Sequence, residues 1–321
     1  MQPVTDRAAV VIGGINLDIL VEHHGPLVAA TSNPGRVTVG AGGVARNIAE
    51  LLARFGVPTR LIGAVGDAPI DRWLLAETKD AGVDTSGVRC ITGGRVGTYV
   101  SILDGGNLAT AVADLTTTEQ LGWDAIRDAL DAGPTDLVVV DCNLLPEVLA
   151  EVIRWANRRA VPVVVEPVSV AKSARLASVS GWIDVITPNE GEANAIGGIM
   201  HPELRIDHVL ITRGEDGARY CRGSFEEERF ALPAIPEEPV NVNGAGDAFV
   251  AGVCTALMGR PGGIDDLDWR RVVITGLAAG TLAIRSRETT PRNLSREVLA
   301  EMVEHLAREI GNHTEQNGVT R

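Results

Sequence analysis

Short unbroken apolar runs alternate with amphipathic stretches of helix length along most of the chain. That rhythm predicts an α/β fold, a doubly wound and mainly parallel sheet with helices on both faces. Residues 8–13 read as a buried first strand. Residues 13–19 continue it, and their alternation sends Asn16 and Asp18 to one side. After a turn at 31–35 and a short strand at 36–39, Val44, Ile48, Leu51, Leu52 and Phe55 mark one face of a helix that Gly56 ends. Further strands are expected at 59–65, 136–140, 161–165, 182–186, 208–212 and 218–222. Helices are expected at 70–81, 147–159, 170–179, 273–284 and 295–310, with 311–321 frayed.

The pattern changes between residues 96 and 113, where two alternating runs flank Asp104-Gly105-Gly106-Asn107 as a hairpin. With residues 15–40 this hairpin predicts a small β lid of about 15–40 and 96–114 on a single domain spanning 1–321. In an open α/β sheet ligands collect at the carboxyl ends of the strands. Asp141, Asn143, Glu166, Asn189, Glu192, Thr212 and Arg213 all fall there.

The densest chemistry lies at 240–252. Gly244, Ala245 and Gly246 precede Asp247 and an apolar run closed by Gly259, so the glycines stand at a helix N-terminus. Free amides and the helix dipole there favour an anion. An acid beside an anion site serves poorly to hold phosphate. It serves well to take a proton from a hydroxyl that attacks phosphate. The competing structural reading is a capped helix, with Asn243 as N-cap and Asp247 as dipole partner.

Composition narrows the options. A net charge of −13 over 321 residues argues against nucleic-acid and anionic-membrane partners. The two lysines, Lys79 and Lys172, lie in no GxxxxGK[ST] loop, which excludes a Walker-type nucleotide site. Four scattered cysteines without a CxxC pair, and six histidines without HExxH spacing, predict neither disulfides nor a zinc centre. No apolar run approaches ~18 residues and no basic-then-apolar leader is present, so a cytoplasmic location is expected. Gly40, Gly42 and Ala45 match GxGxxA, which keeps an NAD-linked oxidoreductase as a remote alternative. The next strand, however, runs into a loop at Gly66-Asp67. Small residues at 276–280 fit either a flat group such as adenine or close helix packing.

Four segments in order resemble the ribokinase-like (PfkB) family of sugar and nucleoside kinases: Gly42-Gly43-Val44-Ala45-Arg46-Asn47, Asn189-Glu190-Gly191-Glu192, Thr212 to Gly217, and Gly244 to Asp247. The resemblance implies an ATP-dependent phosphotransferase in which Asp247 is the base and Gly244–Gly246 hold the transferring phosphoryl. Asn189 and Glu192 would organise Mg²⁺ through water. Thr212, Gly214, Gly217, Asn243 and Gly246 would line the ATP side. Asn16, Asp18, Gly42, Gly43, Asn47, Thr98, Asn143 and Glu166 would hold the acceptor. A monovalent cation such as K⁺ near Asn241 and residues 284–290, and a homodimer through the lid, also belong to the family pattern. The chain departs from it at Asn243, where threonine is usual, and at Asn241, where aspartate is frequent.

Within the family the segments 32–35, 42–50 and 166–172 look most like the pseudouridine kinase branch, so the implied reaction is 5′-phosphorylation of a ribosyl compound, pseudouridine foremost. Ribose, inosine, adenosine or a keto-sugar are the alternatives. A non-catalytic binding protein on the same scaffold is a further one.

Overall fold

The computed structural model describes residues 7–25, 28, 30–104, 107–197, 202–222, 225–233, 239–259 and 264–317. The first half runs β1 (Ala9–Ile12), β2 (Asn16–His23), β3 (Gly35–Gly42), α1 (Val44–Arg54), β4 (Thr59–Val65), α2 (Pro69–Asp80), β5 (Asp84–Cys90), β6 (Gly97–Asp104) and β7 (Asn107–Asp114). It continues through α3 (Thr116–Glu119), α4 (Trp123–Asp131), β8 (Leu137–Asp141), α5 (Pro146–Arg159), β9 (Val163–Glu166), α6 (Val170–Ser173), β10 (Gly181–Ile186) and α7 (Glu190–Gly197). The last elements are β11 (Leu204–Thr212), β12 (Ala218–Arg222), β13 (Phe225–Phe230), α8 (Ala245–Met258), α9 (Trp269–Ala283) and α10 (Arg296–Asn317).

Nine strands form the main sheet in the order β13-β12-β11-β10-β9-β8-β1-β4-β5. The pairings from β5 to β11 are parallel, and β12 and β13 add antiparallel at one edge. Strands β1, β4 and β8 are buried along their whole length because helices cover both faces. On one face α1, α8, α9 and α10 close a core with Leu51, Val139, Phe249 and Leu277. On the other, α4 and α5 pack Ile126, Trp155 and Ile153 against Val138 and Val163. Helix α10 shows the amphipathic logic plainly, since Leu299, Val303, Leu306 and Ile310 form its single buried stripe.

The small sheet has the order β3-β2-β6-β7 and is set apart from the main one. Residues 13–19 do not continue β1. The chain leaves the main sheet after Ile12, and Asn16 opens β2 of the small sheet. Gly13 and Gly14 make that departure possible, because a side chain on Gly13 would fall on the Asp141 carboxylate and one on Gly14 would approach Asn143 Nδ2 to 2.9 Å.

Strands β5 and β13 and helix α4 were not anticipated. The polar alternation of β5, Asp-Thr-Ser-Gly-Val-Arg-Cys, carries no apolar run. The helix expected at 170–179 is one α-helical turn followed by a 3₁₀ stretch, Ala174–Ser178. The last helix reaches Asn317, well beyond the expected fraying point. Gly105 and Gly106 of the expected hairpin turn lie outside the described residues, while the strands on either side pair as expected. The small residues of α9 serve helix packing: a Cβ on Gly276 would meet Phe249 at 2.8 Å, and one on Gly252 would meet the Thr275 carbonyl at 2.5 Å. Among the described residues no helix is long and apolar enough to cross a membrane.

Candidate active site

Asn16, Asp18 and Leu20 alternate along β2 onto one face of the small sheet, and all three line a cavity of about 1020 Å³ between that sheet and the main body. Register places Gly42 and Gly97 on either side of Asn16, and Gly40 opposite Asp18. A Cβ on Gly97 would lie 2.5 Å from Asn16 Oδ1, and one on Gly42 would fall on the Asp18 carboxylate. Glycine at both positions therefore leaves the two polar side chains room to turn inward. Asn16 Oδ1 and Asp18 Oδ1 are buried without a hydrogen-bond partner among the described residues. Such acceptors are rare in folded proteins and point to hydroxyl donors on a ligand. Burial pushes the Asp18 carboxyl up to about 7, against the pull of the Arg46 guanidinium.

Across the cavity stands Asp247, in the first turn of α8. Gly244 caps that helix with φ +81, and a side chain there would strike Thr289, its Cβ 2.5 Å from Thr289 Cγ2. The Ala245 N–H turns to the Val242 carbonyl at 3.3 Å, so the amides of Gly246 and Asp247 are the ones without an intrahelical acceptor. Nothing would lie within 4 Å of a Cβ on Gly246, so the helix start is open. The start of α1 is different. Ala45 N donates to Asp141 Oδ2 at 3.1 Å and Arg46 N to the Gly14 carbonyl at 3.3 Å, so two of the amides that a dinucleotide pyrophosphate would need at this helix start are already committed.

Asp247 Oδ2 accepts from Asn47 Nδ2 at 2.8 Å. The carboxylate is partly open to the cavity, engages no cation directly, and is pushed up to about 7. Burial is the main cause, the Asn47 hydrogen bond opposes it, and the Asp18 and Asp141 carboxylates reinforce it. A base in that range is matched to proton transfer near neutrality.

A smaller cavity of about 180 Å³ adjoins on the other side of Asp247. Glu166, Val168, Thr187, Asn189, Glu192, Thr212 and Gly246 line it. Glu166 Oε2 accepts from the Thr187 hydroxyl at 2.6 Å, and burial holds its carboxyl well above the usual range. Asn189 and Glu192 cap one another: Asn189 Oδ1 accepts from Glu192 N and Glu192 Oε2 from Asn189 N, each at 2.9 Å. The N-x-x-E spacing is thus also that of a capping box for α7. Every donor around this cavity is oxygen, the set that suits Mg²⁺ arriving with nucleotide phosphates. Val168, at φ +70 a strained position for a β-branched residue, separates the two cavities.

The fold thus gathers Asn16, Asp18, Gly43, Asn47, Asn143, Asn243, Gly244 and Asp247 around the large cavity, and Glu166, Asn189, Glu192, Thr212 and Gly246 around the small one. Glu166, expected with the acceptor, lines the small cavity instead. Thr98 faces away, because β6 presents Tyr99 and Ser101 to the cavity instead. Gly42 backs Asp18 without lining either cavity. Gly214 and Gly217 also line neither. Gly217 has φ +88 and abuts the Phe230 carbonyl, which makes it a turn residue. Asn241 commits its side chain to protein partners, accepting from Asn243 N at 2.9 Å in its own loop and donating to the Arg287 carbonyl of the 284–290 loop at 3.1 Å. Arg46, Tyr99 and Val168 stand within segments that the sequence marks, but the sequence alone gives none of them a role of its own. Arg46 was the legible one, a charged residue placed between the apolar Ala45 and Ile48 at the buried start of a helix.

Comparison with known proteins gives the family. Residues 6–296 match the pfkB family of carbohydrate kinases. The pseudouridine kinase of Escherichia coli is 28% identical over 311 residues, covering 92% of this chain and 96% of that protein. Ribokinase of Bacillus subtilis is 28% identical over 260 residues, covering 78% and 86%. Among solved structures, Arabidopsis thaliana ribokinase complexed with ribose and ATP aligns with a TM-score of 0.74 at 19% identity, over 93% of this chain and 99% of that one. The chain belongs to the pfkB family of carbohydrate kinases, and it is an ATP-dependent kinase of sugars or nucleosides.

Proposed function

We propose that this kinase transfers the γ-phosphoryl group of ATP to the 5′-hydroxyl of a ribosyl compound, with pseudouridine the foremost acceptor. The observation that carries the reading is the pair of unpartnered acceptors, Asn16 Oδ1 and Asp18 Oδ1, facing Asp247 across one cavity. Two neighbouring ribose hydroxyls would donate to them, which points the remaining hydroxymethyl group at Asp247. Two relatives named as pseudouridine kinases, 28% and 26% identical over 92% and 91% of this chain, favour the nucleoside over free ribose.

In this mechanism Asp247 takes the hydroxyl proton on its Oδ1 while Asn47 holds Oδ2. The alcohol oxygen attacks the γ-phosphorus and the bond to the β-γ bridging oxygen breaks, leaving ADP. The free amides at the start of α8 face the transferring group and oppose the charge on its oxygens. Glu166, Asn189 and Glu192 would hold Mg²⁺ through water, and the ion would offset phosphate charge. Burial of the acceptor between the small sheet, acting as a lid, and the main body keeps water from competing for the phosphoryl group. A K⁺ site in the 284–290 loop would rest on backbone carbonyls, since the Asn241 side chain is committed.

The outer face of the small sheet is apolar and uncovered, with Val37, Val39 and Val112 at 62%, 49% and 68% exposure. A second copy of this chain, pairing lid to lid, is the proposed cover.

Four outcomes are expected. A panel of ribosides and sugars with coupled ADP detection should give the highest specificity constant for pseudouridine. Asp247→Asn should lose roughly 10²–10⁴-fold in kcat with ATP affinity retained, and wild-type turnover in that variant would refute the base assignment. The specificity constant should fall as pH drops below about 7, because Asp247 must be ionised to accept a proton. Asp18 titrates in the same region, and Arg46, Asp141 and Glu166 also bear on Asp247, so the limb belongs to the coupled carboxylates; a profile flat from pH 5.5 to 8 would contradict this. Light scattering should show a dimer that Val112→Asp dissociates, whereas a wild-type monomer at micromolar concentration removes the lid pairing.

A further inference from the structure

Arg46 is 3% exposed, and every donor face of its guanidinium is engaged. Nε donates to Thr78 Oγ1 of α2 at 3.2 Å. Nη1 reaches the Ala41 carbonyl of β3 and Asn47 Oδ1, each at 3.1 Å, and Nη2 pairs with Glu50. Glu50 is in turn held by Arg54 through two hydrogen bonds, at 2.9 and 2.5 Å. So buried a cation, touching none of the two cavities' phosphate-side residues, serves some purpose beyond neutralising one glutamate.

The consequence lies in what a guanidinium can and cannot do. It only donates, so the end of the Asn47 side chain that meets Nη1 must be the carbonyl oxygen. With Oδ1 fixed there, the Nδ2 end must face Asp247, where it donates to Oδ2 at 2.8 Å. Were the amide reversed, its oxygen would confront the Asp247 carboxylate and repel it. Free rotation about the Asn47 side chain would leave the base without a fixed orientation. The geometry points to Arg46 as the positioning residue that locks the Asn47 amide and through it aims the free oxygen of Asp247 at the acceptor. The same Nη1 holds Ala41 of the small sheet, so the sheet that carries Asp18 and the helix that aims Asp247 share one anchor. This inference rests on Asp247 being the base.

A double-mutant cycle tests it. Arg46→Met, Asn47→Leu and the double variant should each keep a cooperative thermal melt and a KM for ATP close to wild type. Glu50 retains Arg54 in all three. Each single variant should lose about 10- to 100-fold in kcat, the scale of a misplaced catalytic group. The double variant should lose no more than the worse single one, because both remove the same restraint. Losses that multiply in the double variant, or an Arg46→Met defect confined to acceptor KM, would overturn the assignment. If Arg46→Met does not fold, Arg46→Lys in the same cycle decides the matter by the same non-additivity. Asp247→Asn measured alongside separates the two claims. If it turns over normally, the base assignment has failed. If it is inactive while the cycle is additive, only the role of Arg46 has failed.

Discussion

The buried carboxylate of Asp141 is the constraint on which the site's geometry depends. It ends β8 at 1% exposure and accepts Gly14 N at 2.8 Å, Ala45 N at 3.1 Å and Asn143 N at 2.9 Å. Those three amides belong to the departure from β1 toward the small sheet, the start of α1, and the loop after β8. One side chain thus fixes where Asp18 is carried, where Asn47 stands and where Asn143 meets Lys172. Burial raises the Asp141 carboxyl above its ordinary range, and hydrogen bonds from Gly14 and Asn143, with the Lys172 ammonium, oppose that rise only in part. Leaving any of these donors unmatched in a dry interior would cost about 1–3 kcal/mol, so the junction is held tightly.

From that junction the two halves of the site are assembled by different means. The proposed acceptor half is a matter of strand alternation, with Asn16 and Asp18 on one face of β2 and cross-strand glycines that leave them space. The proposed phosphoryl half is a matter of helix termini. The start of α8 keeps the Gly246 and Asp247 amides open, whereas the start of α1 commits those of Ala45 and Arg46 to Asp141 and Gly14. Two glycine turns of similar sequence therefore do opposite work, and only hydrogen-bond partners distinguish them. The bond from Asn47 to Asp247 spans 200 residues of sequence and joins the two halves.

Much of this was legible before any coordinates. The parallel sheet follows from apolar runs such as 59–65, and the candidate site was drawn from polar residues at strand ends and from Gly244 to Asp247. What stayed hidden depends on tertiary placement. Strand β5 is polar because it is an edge strand, and β2 reads as a continuation of β1 because a change of sheet leaves no mark on alternation. Thr98 and Tyr99 are adjacent and both polar, so only the pairing register decides which one faces the cavity. Glu166, expected with the acceptor, lines the smaller cavity, since a strand end gives a side chain's level in the sheet but not its neighbours across it. Arg46 was overlooked because its value lies in which atom of Asn47 it touches.

The most direct test of the central claim is a crystal structure with ADP, a phosphate mimic and the acceptor bound together. The account predicts the acceptor's 5′-oxygen within about 3.2 Å of Asp247 Oδ1, the mimic against the Gly246 amide, and two ribose hydroxyls on Asn16 and Asp18. An acceptor bound with its hydroxymethyl group away from Asp247, or a mimic held elsewhere than the start of α8, would contradict it.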